Sequence, residues 1–122
     1  MARKAIILCV DDEELPLILR KLVLEKAGYE VITASSAAAA LDVVKSTKVD
    51  LVVSDHLMPA MTGAELARQV KSYRPDLPVA LLSGVNEMPT GIDSADAFIS
   101  KVEGPEGLCR HVATLLELSS IN

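Results

Sequence analysis

Aromatic side chains are nearly absent from this sequence, whose 122 residues include two tyrosines, one phenylalanine and no tryptophan. Hydrophobic residues nevertheless make up 50% of the chain, so its core must be aliphatic. A chain of this length can bury a sizeable core as one domain. We therefore expect a single domain over residues 1–122, with a core spanning roughly 4–118 and no output domain.

Basic residues are also scarce. Lys and Arg total 12 against 17 Asp and Glu, which gives a net charge of −5 and a pI near 4.9. A surface that binds nucleic acid directly needs clustered positive charge, and so does one that binds an anionic membrane. The composition predicts neither kind of surface.

Long apolar runs are missing, since none approaches the roughly 20 residues of a membrane span. The short run at 5–10 follows Arg3 and Lys4, but acids come directly after it without a cleavage site, which indicates a strand rather than a signal peptide. Cys9 and Cys109 lack metal-ligand spacing and are predicted to be buried, reduced thiols. We expect a cytoplasmic protein.

Short apolar runs alternate with helical patterns along the chain. The predicted strands cover 4–10, 30–34, 51–55, 77–82 and 96–100. The predicted helices follow the acids at 11–14 and cover 35–47, 63–74 and 105–118. This alternation predicts an α/β fold, with a parallel sheet covered by helices on both faces.

Two of the helical segments have unusual patterns. The first carries apolar residues at i, i+3, i+4, i+7 and i+8, a spacing that ordinarily faces the core: Leu15, Ile18, Leu19, Leu22 and Val23. Between the fourth and fifth strands, Pro89 and Gly91 stand where a helix would be expected. This fourth helix is predicted to be short or irregular.

Polar residues follow the strands at the points where they end: Asp11, Asp12, Asp55, Ser83 and Lys101. Parallel strands bring these positions to one edge of the sheet. Two carboxylates about 4 Å apart repel by roughly 4 kcal/mol at an effective dielectric near 20. A hard divalent cation such as Mg²⁺ and the ammonium group of Lys101 can each offset that repulsion. A carboxylate held in this way can attack phosphorus, so Asp55 is the candidate phosphate acceptor.

The loop after Asp55 is restricted by Pro59, and Gly63 is expected to supply a permissive backbone position before the next helix. Over nearly its full length, the chain resembles the receiver domain of a two-component response regulator, in the CheY-like superfamily. The resemblance rests on residues in a fixed order at strand ends: Asp11-Asp12, Asp55, Met58-Pro59, Met61, Gly63, Ser83-Gly84, Phe98 and Lys101.

This resemblance implies a flavodoxin-like sheet of order 2-1-3-4-5. It implies that Asp55 accepts a phosphoryl group from the phosphohistidine of a histidine kinase or a phosphotransfer protein. Asp12, Asp55 and the backbone carbonyl of Leu57 would ligate Mg²⁺ or Mn²⁺, and Asp11 would assist through water. Lys101 would pair with the phosphoryl group, and Ser83 and Phe98 would move as switch residues.

Such a domain promotes its own phosphorylation and dephosphorylation but is not classed as an enzyme. The phosphoryl group would switch a surface that binds a downstream protein or a second copy of the chain. The family usually has proline after the conserved lysine, whereas Val102 stands here, and a trans Lys101–Val102 bond is predicted because non-proline cis bonds are costly. The segment from Ser83 to Lys101 also looks about one helical turn shorter than the family norm.

Three alternatives remain open. The main one is a receiver-like module that binds proteins without taking phosphate. A flavodoxin-like FMN carrier lacks support because acids replace the expected phosphate-binding loop and aromatic residues are few. A haloacid-dehalogenase-like phosphatase would need its nucleophile after the first strand and a second acid two residues on, where only Glu13 is available.

Overall fold

The computed structural model describes residues 4–84 and 94–121, and side chains as far as residue 119. The strands are Ile6–Val10 (β1), Glu30–Ala34 (β2), Leu51–Asp55 (β3), Val79–Ser83 (β4) and Ala97–Ser100 (β5). The α-helices of this part of the chain are Glu14–Lys26 (α1), Ala37–Ser46 (α2), Gly63–Tyr73 (α3) and Gly104–Ile121 (α4). A short 3₁₀ turn, Lys101–Glu103, joins β5 to α4.

The five strands form one parallel sheet in the order β2-β1-β3-β4-β5. This confirms the flavodoxin-like α/β architecture. Every residue of β3 and β4 is buried, as expected for central strands covered on both faces. The short or irregular helix that was predicted between β4 and β5 falls on residues 85–93, which lie outside the described part of the chain.

The sheet separates two aliphatic cores. Helices α2 and α3 pack on one face through small and β-branched residues such as Ala40, Ala67 and Val70. Helices α1 and α4 pack on the other face through Leu17, Leu24, Leu108, Val112 and Leu115. Because no tryptophan and only one phenylalanine exist, these close-fitting aliphatic layers supply the apolar burial of the domain.

Two carboxylates accept hydrogen bonds from backbone N–H groups at the amino-terminal edge of the sheet. The Ile6 N–H donates to Asp50 Oδ2 and the Val79 N–H donates to Asp96 Oδ2, both at 2.7 Å. Lys71 Nζ lies 2.7 Å from the same Asp96 oxygen. These acids satisfy strand-end donors that would otherwise lack a partner in the ladder.

Helix α1 presents a different face to the sheet from the predicted one. Leu15, Ile18, Leu19 and Leu22 are exposed, Val23 is half-buried, and the buried residues are Leu17 and Leu24. The prediction was wrong because α1 has apolar residues on both sides, so spacing alone could not identify the inner side. Its predicted end is confirmed: Gly28 follows with φ +104°, and its N–H donates to the Glu25 carbonyl at 3.0 Å.

The last helix is longer than predicted. It continues through Ser119 to Ile121, whereas the sequence pattern indicated a frayed tail after Leu118. No glycine or proline interrupts these positions, so the helical hydrogen bonds can continue beyond the last apolar contact. Among the described peptide bonds none is cis, so Lys101–Val102 is trans, as predicted.

Candidate functional site

The carboxyl ends of β1, β3 and β4 and the turn after β5 bring the predicted site residues to one edge of the sheet. Asp11 directly follows β1, Asp55 ends β3, Ser83 ends β4 and Lys101 follows β5. The register pairs Asp55 with Leu82 and Ser83 with Ser100, so these strand ends are nearly level. The topology therefore gathers residues that are far apart in the sequence.

A loop that approaches its own strand closely holds Asp55 in place. Gly63 donates its N–H to the His56 carbonyl at 2.7 Å, and a Cβ at Gly63 would lie 2.7 Å from the Asp55 carbonyl oxygen. Thr62 caps α3 by accepting the Glu65 N–H at 3.2 Å. Positive φ occurs at Ala60 (+69°) rather than at Gly63. Gly63 is thus needed for lack of a side chain, not for the backbone freedom that the sequence suggested.

Three carboxylates form a compact acid cluster. Asp11, Asp12 and Asp55 each offer an oxygen, and these oxygens all lie within 4.8 Å of one another. Asp11 and Asp55 are buried, whereas Asp12 is exposed. An oxygen-only donor set with one side open to water suits a hard cation such as Mg²⁺, which keeps several of its waters. The donor chemistry at this edge therefore fits the expected ion.

Lys101 forms an ion pair with Asp55 Oδ1. Burial raises the pKa of Asp55, while Lys101 opposes that rise by hydrogen bonding and by its charge. The neighbouring Asp11 raises the same pKa further, and Arg20 lowers it. Asp55 is thus a buried carboxylate whose negative charge depends on nearby cations.

The other predicted site residues lie around this cluster. Ser83 is buried at the end of β4, and Leu57 has an exposed side chain in the loop after Asp55. The Phe98 ring is half-buried and meets the ring of buried His56 edge-on, with centroids 5.5 Å apart. Sequence reasoning assigned no role to His56, yet this residue directly follows Asp55 and its ring contacts the predicted switch residue Phe98.

Arg20 is a second residue that sequence reasoning missed. Its Nη1 lies 2.5 Å from Asp11 Oδ2, and its side chain is only 15% exposed. Leu17 and Leu24, the buried residues of α1, lie three positions before Arg20 and four after it. Residues at these spacings share one helix face, so the spacing of Arg20 from these two leucines could have predicted that it faces inward.

A groove of about 380 Å³ lies between α1 and the start of α4, beside the acid cluster. Pro16, Leu19, Val23 and Leu108 line it, together with Asp11 and Lys101. The exposed leucines of α1 therefore continue into a concave surface that reaches the charged residues. Within the described residues no helix has both the length and the apolar composition to cross a membrane.

Comparison with known proteins agrees with this geometry. Residues 7–113 match the family model of the response regulator receiver domain. The alkaline phosphatase synthesis transcriptional regulatory protein PhoP of Bacillus subtilis is 34% identical over 119 residues, covering 94% of this chain and 50% of that protein. The transcriptional regulatory protein YvrH of the same organism is 36% identical over 118 residues, covering 93% and 49%. The chain spans about half the length of these two relatives.

Solved structures show the same fold. A response regulator receiver domain protein from Clostridium thermocellum superposes with a TM-score of 0.89 at 28% identity, covering 96% of this chain and 98% of that one. The response regulator TrrA from Thermotoga maritima, solved in complex with Mg²⁺-BeF, gives a TM-score of 0.85 at 31% identity and covers 91% and 98%. The strand order, the acid cluster and these matches lead to one conclusion: the chain belongs to the response regulator receiver family, the signalling domains of two-component systems.

Proposed function

We propose that Asp55 accepts a phosphoryl group from the phosphohistidine of a donor protein in a Mg²⁺-dependent reaction. The observation that carries this proposal is the acid cluster itself, in which buried Asp55 lies with two other carboxylates and in contact with Lys101. Three converging carboxylates and a lysine are unfavourable for stability alone, and they are the groups that phosphoryl transfer to a carboxylate needs.

The reaction forms one bond and breaks one. A carboxylate oxygen of Asp55 bonds to phosphorus as the phosphorus–nitrogen bond of phosphohistidine breaks, and that electron pair stays on the imidazole nitrogen. Lys101, already in contact with Asp55, neutralises charge on the phosphoryl oxygens. Ser83, buried at the neighbouring strand end, is the proposed hydrogen-bond donor to a phosphoryl oxygen.

The proposed metal ligands are Asp12, Asp55 and the Leu57 carbonyl, with Asp11 acting through water. Bound Mg²⁺ would supply further charge neutralisation during the transfer. The compact oxygen donor set supports this assignment, and so does the Mg²⁺-BeF complex of the related TrrA structure. Mn²⁺ has similar ligand preferences and is expected to substitute.

Phe98 and Ser83 are the proposed switch residues. Phosphorylation adds negative charge and acceptor oxygens at Asp55, which favours movement of the Ser83 hydroxyl toward it. Phe98 is then proposed to turn inward, and its contact with His56 is the first that we expect to change. The downstream partner is proposed to bind the surface that this movement changes. That partner is either a different protein or a second copy of the chain.

The donor is proposed to dock on the exposed apolar face of α1, formed by Leu15, Ile18, Leu19 and Leu22. Four large apolar side chains exposed along one helix face favour a contact with another protein. The groove beside it reaches Asp11 and Lys101, so a docked donor would place its phosphohistidine at Asp55. The proposed donor is a histidine kinase or a phosphotransfer protein in the cytoplasm.

The organisation of residues 1–122 as a single domain stays a prediction.

Acetyl phosphate tests the chemistry without the donor protein. Incubation with Mg²⁺ should add one phosphoryl group by intact mass, and both Asp55→Asn and a chelator should abolish the addition. Lys101→Met should slow the reaction about 100-fold, because it removes a charge that stabilises the transition state. Asp42→Asn, which changes an exposed acid on α2, is the matched control. A folded, Mg²⁺-binding protein that takes no phosphate would instead indicate the phosphate-independent binding module.

A further inference from the structure

The Arg20 side chain leaves α1 to reach the acid cluster. Arg20 lies on the buried stripe of the helix, and its guanidinium contacts Asp11, whose side chain is only 3% exposed. A buried arginine–carboxylate contact is a strong, charge-assisted hydrogen bond. Arg20 is therefore a fixed cation of this cluster, unlike Lys21 beside it, whose side chain is 42% exposed and pairs with Glu25 at 3.5 Å.

Both oxygens of Asp11 have partners within the chain. Oδ2 accepts from Arg20, and Oδ1 accepts the Glu13 N–H at 2.9 Å. The Glu13 contact lies at the start of α1 and supplies only a neutral backbone donor. The guanidinium contact instead neutralises the charge that Asp11 would offer to a metal or to metal-bound water.

The charge of Arg20 also acts beyond Asp11. Burial raises the pKa of Asp55 and Lys101 lowers it, and Arg20 adds a smaller lowering from the side of α1. Burial likewise raises the pKa of Cys9 on β1, and Arg20 opposes that rise. Three carboxylates thus share two cations, Arg20 and Lys101, before any metal binds.

We propose that Arg20 is a built-in competitor of the divalent cation: by neutralising Asp11 it weakens Mg²⁺ binding and so sets the metal concentration at which the site loads. This inference rests on the metal-binding part of the proposed function. Arg20 is a positioning residue, since it acts through Asp11.

Direct metal titration tests the proposal without any phosphate donor. The free Mn²⁺ signal in electron paramagnetic resonance gives the Mn²⁺ dissociation constant, and competition with Mg²⁺ gives that of Mg²⁺. We expect Arg20→Met to tighten both dissociation constants by about tenfold, because the guanidinium no longer offsets the charge of Asp11. Arg20→Lys, which keeps the charge, and Lys21→Met, which removes an exposed charge from the same helix, should each stay within about twofold of the wild type.

A double-mutant cycle tests whether Arg20 acts through Asp11. In an Asp11→Asn background, Arg20→Met should change the metal dissociation constant by less than about twofold. Arg20→Gln, which keeps hydrogen-bond donors without the charge, repeats the test if Arg20→Met fails to fold.

The remaining outcomes are distinct. If the wild type bound metal, and the Arg20→Met and Arg20→Gln variants bound it equally well or more weakly, this proposal alone would be overturned. An undiminished effect in the Asp11→Asn background would overturn the route through Asp11. If neither the wild type nor these variants bound Mn²⁺, the metal-binding part of the proposed function would fail, and this inference with it.

Discussion

Burial raises the pKa of Asp55, and the ion pair with Lys101 does not fully compensate. The folded state therefore favours the protonated carboxyl group more than the unfolded chain does. The stabilising contribution is complete below the ordinary pKa of 3.8 and is lost as the pH rises through the folded-state pKa. At neutral pH the buried Asp55 carboxylate consequently lowers the free energy of unfolding.

Replacing Asp55 with asparagine should stabilise the metal-free protein. The amide has nearly the same shape but carries no charge to desolvate, and it does not repel Asp11. We expect the melting temperature at pH 7, with a chelator present, to rise by a few degrees, whereas Asp42→Asn on the exposed side of α2 should leave it unchanged. A lower melting temperature for Asp55→Asn would mean that the Lys101 ion pair outweighs the effect of burial.

Cys9 provides a second pH-dependent contribution. Burial raises the pKa of its thiol from 9.0 to about 12, against the opposing charge of Arg20. The unfolded chain releases this proton at lower pH than the folded chain does, so stability is complete below about pH 9 and declines above it. From about pH 9 to 12, the free energy of unfolding should fall by about 1.4 kcal/mol per pH unit from this group.

Urea denaturation at pH 8.5, 9.5 and 10.5 measures that decline. Other groups titrate in this range, so the informative quantity is the difference between the wild type and Cys9→Ala. The variant should show the shallower decline, although its stability at pH 8.5 is lower because it has a smaller side chain in the core. Equal slopes for the two proteins would contradict the assignment to Cys9.

At the scale of single elements, the two faces of α1 have different expected roles: the buried face stabilises the fold, and the exposed face is the proposed docking surface. Leu24 is fully buried beneath the helix, whereas Leu22 is 56% exposed two positions earlier. Leu24→Ala should lower the free energy of unfolding by about 2–5 kcal/mol, and Leu22→Ala should change it by no more than about 0.5 kcal/mol. Chemical denaturation of the two variants measures these changes. Comparable losses of unfolding free energy would show that α1 does not bury the Leu24 side and expose the Leu22 side.

Strands were easier to predict than helix orientation. The central strands β3 and β4 are continuous apolar runs, and a strand buried on both faces needs no choice of side. Helix α1 has apolar residues on its exposed and its buried side, so its orientation depends on the partners that the sheet and α4 provide. The same ambiguity concealed Arg20, because its position pointed inward only after the helix was packed.

The Asp55 loop shows a similar limit. Sequence reasoning placed Asp55, Lys101 and Ser83 at one edge because strand ends are predictable from hydrophobic runs. It assigned Gly63 a conformational reason, although the decisive contact is with the Asp55 carbonyl oxygen. Such contacts depend on distances between segments, and local patterns do not contain those distances.

For the whole molecule, the acid cluster couples stability to metal concentration. The chain carries a net charge of −5, and three of its carboxylates meet at one sheet edge. Mg²⁺ should raise the melting temperature, and at 100 times its dissociation constant it should add about 2.7 kcal/mol to the free energy of unfolding. Asp12→Asn should lose most of that gain, because it removes a proposed ligand on the open side of the cluster.

Thermal melts at constant ionic strength distinguish binding from general screening. NaCl matched to each Mg²⁺ concentration is the reference for the wild type, and Asp42→Asn should respond as the wild type does. A gain that survives Asp12→Asn unchanged would place the stabilising ion elsewhere on the surface.

The two ends of the sheet use the same kind of residue in opposite ways. Asp50 and Asp96 complete backbone hydrogen bonds at the amino-terminal edge, whereas Asp11, Asp12 and Asp55 crowd together at the carboxyl-terminal edge. A laboratory selection for thermal resistance alone would therefore retain the first pair and discard members of the second group. The variants it recovered would be sturdier proteins that no longer carried a signal.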